Sequence, residues 1–338
     1  MNDDLRRYIE TIPKAELHLH IEGTFEPELM FEIAARNNIK LKYESIEDVK
    51  KAYEFSNLQE FLDLYYEGAN VLLHEQDFYD LAMAYLKRVH KDNVVHAEIF
   101  FDPQTHTARG VSFDTVINGL VRAQKDAEEQ FGISTKLIMC FLKHLSEESA
   151  FETLEMAMPH KDKIIGVGLD SSEIGNPPSK FFNVFGKARD EGFFVVAHAG
   201  EEGPAENVWE ALELLEAERI DHGVASIDDE ALMERLAEDE IPLTVCPLSN
   251  VKLKVFDELS EVPIKAFLDN NILVTINSDD PAYFGGYINE NFLQTAEAQN
   301  LTRSDVYTLA KNSFLASYIS EKEREEYLAK LDEFDKSF

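Results

Sequence analysis

The chain has 338 residues, of which 44% are hydrophobic and 11% aromatic, a composition that excludes a disordered protein and a disulfide-framed miniprotein. Asp and Glu total 65 against 32 Lys and Arg, so the formal net charge is -33. The negative electrostatic field of such a chain repels polyanions. It argues against nucleic acid and anionic membranes as partners and favours a neutral or cationic small molecule.

The cysteines and the N-terminus bear on the compartment. Cys140 and Cys246 lie in apolar runs that are typical of buried strands, and no disulfide framework follows from them. Residues 1–10 are polar and carry both signs of charge, unlike a signal or transit peptide. No apolar run approaches the roughly 20 residues that span a bilayer. We therefore expect a cytoplasmic protein.

Short apolar runs recur along the chain, most of them without polar alternation, and predict parallel strands covered on both faces. These runs are 15–20, 94–101, 136–141, 164–170, 193–198, 219–222, 243–247 and 273–279. Amphipathic segments predict helices at 179–191, 204–217, 228–238, 303–317 and 321–333.

Repeated strand–helix units predict an α/β fold, specifically a (β/α)8 TIM barrel. A doubly wound sheet is disfavoured because no glycine-rich phosphate loop follows any predicted strand. Residues 21–93, mostly helical in pattern, predict a helical insertion between strands 1 and 2 that could act as a lid or simply be structural. No linker marks a boundary, so we expect residues 1–338 to form a single domain.

Polar side chains fall where the predicted strands end, and in a barrel these ends share one rim. The residues are His18 and His20 on strand 1, His198 on strand 5, His222 on strand 6, and Asp279 with Asp280 on strand 8. Any one of these histidines alone would more often be structural, but their shared position favours an active site.

His18 and His20 are two residues apart on a strand, so both side chains face the barrel interior. With His198 and Asp279 they make three nitrogens and one carboxylate oxygen, which suits zinc with a position left for water. Iron, cobalt and manganese accept the same ligand types. Asp280 must point elsewhere, and we expect it to face the substrate.

Glu201 and His222 indicate that the site is catalytic and does more than bind a metal. Glu201 follows His198 by three residues, so one short loop presents a ligand and a carboxyl acid. His222, in Asp-His-Gly, could accept a proton from the metal-activated water or stabilise the hydroxide. A non-catalytic zinc-binding or interaction barrel would have no need of these two groups.

Five motifs in order carry a family resemblance. They are Pro-Lys-Ala-Glu-Leu-His-Leu-His at 13–20, His-Ala-Gly-Glu at 198–201, Asp-His-Gly at 221–223, Val-Cys-Pro-Leu-Ser-Asn at 245–250 and Asn-Ser-Asp-Asp-Pro at 277–281. From Pro13 to about Pro281 the chain resembles the adenosine and adenine deaminase family of zinc-dependent barrel hydrolases. The departures described below look most like its adenine deaminase branch.

The resemblance implies that the four ligands already named bind zinc, and we expect one ion per chain because strand 4 lacks the bridging residue of two-metal barrels. It implies that Glu201 donates a proton to ring nitrogen 1 of a 6-aminopurine and that His222 positions or deprotonates the water. Asp280 would hydrogen-bond ring nitrogen 7. Hydroxide then adds to carbon 6 and ammonia leaves.

Two glutamates bear on whether the substrate is a base or a nucleoside. Glu22 stands where nucleoside deaminases of the family carry an aspartate that contacts the ribose. Glu173 follows strand 4, and its carboxylate could accept the hydrogen on ring nitrogen 9 of free adenine, which a nucleoside lacks. We therefore expect conversion of adenine to hypoxanthine in purine salvage. Adenosine and N6-substituted adenines remain alternatives.

Two other zinc-enzyme classes fit less well. Deaminases that act on polynucleotides use a His-x-Glu and Pro-Cys-x-x-Cys signature, which is absent. Two-metal barrel hydrolases commonly need a bridging residue, often lysine, at the end of strand 4, where this chain has Leu169 and Asp170. The oligomeric state is not predicted by the sequence.

Overall fold

The fold is an eight-stranded parallel barrel surrounded by helices, described here from a computed structural model for residues 1–55 and 58–338. The strands pair in chain order from β1 to β8. Their bounds are β1 Lys14–Glu16, β2 Val94–Phe101, β3 Ser134–Leu142, β4 Gly166–Asp170, β5 Phe194–Ala199, β6 Arg219–His222, β7 Leu243–Val245 and β8 Val274–Ile276. The predicted (β/α)8 architecture is confirmed.

Backbone contacts just beyond the last strand close the barrel. Asp279 N donates to His18 O at 3.0 Å, and His20 N donates to Asp279 O at 3.0 Å. A parallel bridge pairs Leu19 with Asp279. The same residues that carry site side chains therefore join the first strand to the last.

Helices cover the outside of the barrel and fill the connections between strands. The first group is α1 Asp3–Thr11, α2 Pro27–Arg36, α3 Ile46–Ala52, α4 Leu58–Ala69, α5 Glu75–His90, α6 Pro103–Thr107, α7 Phe113–Phe131 and α8 Glu147–Ala157. The second group is α9 Phe182–Asp190, α10 Ala205–Glu213, α11 Glu230–Glu238, α12 Pro247–Lys252, α13 Ile264–Asp269, α14 Pro281–Phe284, α15 Ile288–Ala298, α16 Arg303–Leu315 and α17 Glu321–Ser337. Within the described residues, every helix is too short or too polar to cross a bilayer.

Helix α7 shows why these segments begin and end where they do. The Ser112 side chain accepts a hydrogen bond from Thr115 N and so satisfies a donor in the first helical turn. Gly132, with φ +68°, ends the helix in the left-handed conformation that glycine adopts most readily.

Helices α2 to α5 lie between β1 and β2, where the sequence predicts the insertion. Part of this segment forms a small apolar core of its own. Phe55, Phe61 and Tyr65 pack there with Tyr283 and Phe284, which follow β8. The pairing holds α4 against the end of the barrel where the strands finish.

Candidate active site

Five side chains from four strand ends converge at the C-terminal rim of the barrel. His18 and His20 follow β1, His198 lies on β5, His222 ends β6, and Asp279 follows β8. Each is at most 6% exposed. The rim is where barrel enzymes build their active sites, because loops from every strand meet there.

His18, His20, His198 and Asp279 form a compact set of possible metal ligands. One ligand atom from each lies within 4.8 Å of the others. His20 Nε2 is 3.0 Å from His198 Nε2, and Asp279 Oδ1 is 3.3 Å from His18 Nε2 and 3.4 Å from His20 Nε2. The sequence predicts the same four residues.

These spacings fit a zinc ion. Zn–N and Zn–O bonds of about 2.0–2.1 Å in a tetrahedron separate neighbouring ligand atoms by roughly 3.3 Å. Within the part of the chain that the structure describes, His18 Nε2 is buried without a hydrogen-bond partner, which is costly unless a ligand takes up its lone pair. Burial, with His18 close by, lowers the pKa of His198 to about 3, so its ring is neutral as a metal ligand requires.

The outer nitrogen of each histidine faces an oxygen that orients the ring. His18 Nδ1 is 3.0 Å from Thr244 O, which accepts its N–H and leaves Nε2 free as a ligand. His198 Nδ1 lies 3.3 Å from Asp221 Oδ2. His20 Nδ1 lies 3.4 Å from Asp170 Oδ2. Such partners fix the tautomer and raise the basicity of a metal-binding imidazole.

Three residues around the site adopt left-handed backbone that only glycine adopts easily. The φ angles are +70° for Ser171, +63° for His222 and +62° for Asp279. Strain of this kind costs about 1–3 kcal/mol per residue and gathers at functional sites. Here it turns the His222 and Asp279 side chains toward the ligand set as their strands end.

Glu201 and His222 lie together beside the ligands. His222 Nε2 is 3.5 Å from Glu201 Oε2 and 3.8 Å from Asp279 Oδ2. Burial, and then the Asp279 carboxylate, raise the pKa of Glu201 well above its ordinary value. Burial also lowers the pKa of His222. The pair thus offers a proton donor and a neutral imidazole that can accept a proton.

Glu173 follows β4 as expected, but its side chain is not among those that line the cavity. Its two carboxylate oxygens accept hydrogen bonds from the backbone N–H groups of four successive residues, Gly200 to Gly203, at 2.8–3.1 Å. Asn207 Nδ2 donates a fifth bond at 2.7 Å. These donors use the acceptor capacity of the carboxylate, so the expected contact of Glu173 with substrate is corrected. The residue holds the loop that presents Glu201.

Replacing Glu173 with Gln is expected to lower the free energy of unfolding by about 3 kcal/mol, because an amide nitrogen would then face backbone donors. Burial opposes the charge of Glu173, but Lys143 and the hydrogen bonds lower its pKa below 4.5. The contribution of Glu173 to the free energy of unfolding is therefore present above pH 4.5 and is lost as acid protonates the carboxylate. Urea denaturation at several pH values measures both effects.

The matched control is Glu202→Gln, one residue beyond Glu201 on the same loop. Glu202 is half-buried, and we expect its replacement to change the unfolding free energy by less than about 0.5 kcal/mol. Equal losses in the two variants would contradict the assigned role of Glu173.

Glu22 also lies behind the site and not in it. Its Oε1 is 2.7 Å from His106 Nε2, in a pair that is almost fully buried. The same oxygen is 3.4 Å from Asp102 N, and Oε2 is 3.4 Å from the Tyr65 hydroxyl. Glu22 supports Asp102 and Tyr65, so its expected direct contact with substrate is corrected as well.

Asp280 is not among the four grouped ligands and lines the cavity, as the sequence predicts for the second of two adjacent carboxyls. Burial, and then the Asp279 carboxylate, raise the pKa of Asp280 well above its ordinary value. Its carboxyl packs against Gly23: a Cβ atom at Gly23 would lie 1.8 Å from Asp280 Oδ1. Glycine is required there by this close approach.

Gly23→Ala is expected to displace Asp280 and lower kcat/KM by about 100-fold with the bound metal retained, since a shift near 1 Å at a reacting centre has that effect. The matched control is Gly186→Ala in α9, where an added Cβ meets no atom within 4 Å. This control should keep full activity and gain about 0.5–1 kcal/mol in stability. Equal activity in both variants would contradict the packing argument.

A small cavity, about 40 Å³ in volume, opens beside the ligand set. Phe61, Tyr65 and Tyr66 of α4 form part of its lining. The Tyr66 hydroxyl lies 3.2 Å from Ser171 Oγ and joins α4 to the end of β4. The insertion thus covers the site. Sequence patterns do not mark these side chains, because their contacts are made with distant residues.

Two further carboxyls line the cavity, Asp102 after β2 and Asp170 at the end of β4. Burial, and then Asp170, raise the pKa of Asp102 well above its ordinary value. Burial raises the pKa of Asp170 to about 7. Sequence reasoning missed both as site residues, although their positions after two strands could have indicated the rim.

The fold and site together define a class. Hydrolases built on (β/α)8 barrels place a metal, a proton donor and an imidazole at this rim, and we assign the chain to the metal-dependent barrel hydrolases. The chain belongs to the adenosine deaminase family: the family model described as "Adenosine deaminase" matches residues 13–334.

Individual relatives within the family indicate a narrower activity than the family model does. The adenine deaminase of Acinetobacter baylyi is 62% identical over 325 residues, covering 96% of this chain and 98% of that protein. The adenine deaminase of Hahella chejuensis is 58% identical over 330 residues, covering 98% and 99%. The crystal structure of adenine deaminase from Arthrobacter aurescens superimposes with a TM-score of 0.95 at 48% identity, covering 96% and 100%.

Proposed function

We propose that the chain hydrolyses adenine to hypoxanthine and ammonia. The observation that carries the proposal is the convergence of Glu201 and His222 on the four metal-ligating side chains in one small cavity. Relatives that are adenine deaminases, at 62% and 58% identity over nearly the whole chain, support adenine as the substrate. These relatives favour adenine over adenosine or an N6-substituted adenine.

The proposed cofactor is one Zn2+ per chain, held by His18, His20, His198 and Asp279. When bound, zinc lowers the pKa of a coordinated water to about 7, so that hydroxide is available at neutral pH. The His198 imidazole stays neutral because burial lowers its pKa to about 3. The outer partners Thr244 and Asp221 keep two of the rings pointed at the ion.

His222 acts on the attacking water. In this proposal its Nε2 accepts the water proton, since the buried ring is neutral at working pH. The nearby carboxyl groups of Glu201 and Asp279 stabilise the imidazolium that forms. The water oxygen forms a bond to carbon 6 of the purine.

Glu201 acts on the other side of the reacting carbon. Its protonated carboxyl donates to ring nitrogen 1 while the bond to carbon 6 forms, which keeps negative charge from building on the ring. Asp280 donates a hydrogen bond to ring nitrogen 7. The carbon–nitrogen bond at carbon 6 then breaks, and the amino group leaves as ammonia with the proton that His222 took from water. The hydroxyl on carbon 6 passes its proton to the Glu201 carboxylate as the carbonyl of hypoxanthine forms. One water is consumed for each ammonia released.

The first experiment measures ammonia and hypoxanthine from adenine with zinc-loaded protein, and again after removal of metal by a chelator. We expect equal amounts of both products from the loaded protein, no turnover after chelation, and recovery on addition of one zinc equivalent. Turnover that survives complete metal removal would contradict the proposal, as would loaded protein that leaves adenine unchanged.

A further inference from the structure

Asp102 and Asp170 together present two buried carboxyl oxygens for which the described chain offers no N–H donor. Each residue is 2% exposed, and both line the cavity. Asp102 Oδ2 accepts a hydrogen bond from the Tyr65 hydroxyl at 3.1 Å, and Asp170 Oδ2 lies 3.4 Å from His20 Nδ1. The two carboxyls interact with each other, and Asp170 with the Cys140 thiol, but Oδ1 of each residue has no hydrogen bond from an N–H group. A buried acceptor without such a donor is costly, so the site suits a ligand with an N–H group there.

The carboxyl of Asp102 also lies near that of Asp280. Both carboxyls line one cavity. After burial, both are among the groups that raise the pKa of the Tyr65 hydroxyl. In a purine, ring nitrogens 7 and 9 flank the same carbon of the five-membered ring. If Asp280 meets nitrogen 7, as in the proposed function, a neighbouring acceptor suits nitrogen 9.

Free adenine carries a hydrogen on nitrogen 9, whereas adenosine carries a sugar there. We propose that Asp102, assisted by Asp170, accepts the nitrogen 9 hydrogen of adenine and thereby selects the free base over purines substituted at that nitrogen. This inference rests on the proposed function, because it takes the orientation of the purine from it. It assigns to Asp102 the discrimination that the sequence assigns to Glu173.

The wall behind Asp102 is fixed, so the carboxyl cannot withdraw to admit a sugar. Its backbone nitrogen is held by Glu22, whose carboxylate pairs with His106. Tyr65 in α4 holds its side chain. A substituent on nitrogen 9 would therefore meet a rigid wall and leave an acceptor without a donor. The steric clash and the unpaired acceptor both disfavour purines that are substituted at nitrogen 9.

The test compares adenine with 9-methyladenine, which lacks only the N–H and adds one methyl group. For Asp102→Ala we expect kcat/KM for adenine to fall at least about 100-fold, mainly through KM, while the value for 9-methyladenine is unchanged or rises. The preference for adenine thus falls by at least that factor. Zinc is measured on each variant and rates are expressed per bound zinc.

Asp102→Asn is the second variant, in case the alanine variant does not fold. Its amide oxygen can still accept from the Tyr65 hydroxyl, but its N–H group then faces the N–H of adenine. The preference for adenine should again fall about 100-fold. An unchanged preference in either folded variant would overturn the proposal.

Glu202→Gln is the matched control, because it removes a nearby carboxyl group that does not line the cavity. It should leave kcat/KM for both substrates, and so the preference for adenine, close to wild type. A loss of preference in Glu202→Gln as large as in the Asp102 variants would overturn the proposal.

Wild-type protein separates this inference from the function on which it rests. Loaded protein that acts on neither compound contradicts the proposed function itself. Protein that deaminates adenine and 9-methyladenine equally well keeps the function and overturns the role of Asp102. Two tightly bound zinc ions per chain would also overturn it, since His20, Asp102 and Asp170 are close enough to hold a cation.

Discussion

Glu201→Gln is expected to keep a full equivalent of zinc and to lower kcat for adenine by about 1,000-fold. Glutamine matches the size of the acid but cannot deliver a proton to ring nitrogen 1, and loss of a general acid typically costs 100- to 10,000-fold. Because Glu201 is not among the metal ligands, zinc binding should survive. Steady-state ammonia release and zinc analysis of the same preparation measure both quantities.

Glu202→Gln is the control for this variant, since it makes the same change one residue along the same loop. We expect its kcat to stay within about threefold of wild type. If Glu201→Gln keeps more than a tenth of wild-type kcat, Glu201 is not the proton donor.

His18→Ala is expected to abolish both zinc binding and turnover. His18 is fully buried and its Nε2 has no hydrogen-bond partner among the described residues, so removing the ring removes one of four ligands without a substitute. We expect less than about 0.1 zinc per chain after dialysis and a rate at least about 10,000-fold below wild type. Zinc analysis and ammonia release measure the two effects.

His90→Gln is the matched control for the loss of a histidine. His90 is exposed and stacks on Phe131 at the end of α5, far along the chain from every proposed ligand. We expect wild-type zinc content and activity. Full zinc occupancy in His18→Ala would contradict the assigned ligand set.

The bounds of two strands agree fully with the sequence prediction. β2 and β6 have the predicted bounds, 94–101 and 219–222. β8 is predicted at 273–279 but spans only Val274–Ile276, because the backbone turns left-handed at Asp279. Side chains that a site must aim inward require irregular backbone, which periodicity does not reveal.

The ligand set could be predicted because its residue types and positions at strand ends are both unusual. His18, His20 and His198 are imidazoles in otherwise apolar strand regions, and such a pattern has few explanations apart from a metal. Asp279 and Asp280 were separable because neighbours in an extended chain point in different directions. The structure brings these residues together as expected.

Residues that act through distant partners could not be predicted in the same way. Glu173 binds a loop that lies 27–30 residues further along the chain. Gly23 meets Asp280, and Tyr65 meets Asp102, across similar or longer separations. Only the folded barrel makes these pairs neighbours, so no local spacing indicates them. The role expected for Glu173 failed for this reason.

The most direct test of the account is ammonia release from zinc-loaded protein with adenine, adenosine and N6-methyladenine measured side by side. We predict that kcat/KM for adenine exceeds the value for adenosine by at least about 1,000-fold, since the nucleoside lacks the N–H donor and adds bulk. We expect adenine to exceed N6-methyladenine as well. A higher kcat/KM for adenosine than for adenine would contradict the assignment of this chain as a deaminase of the free base.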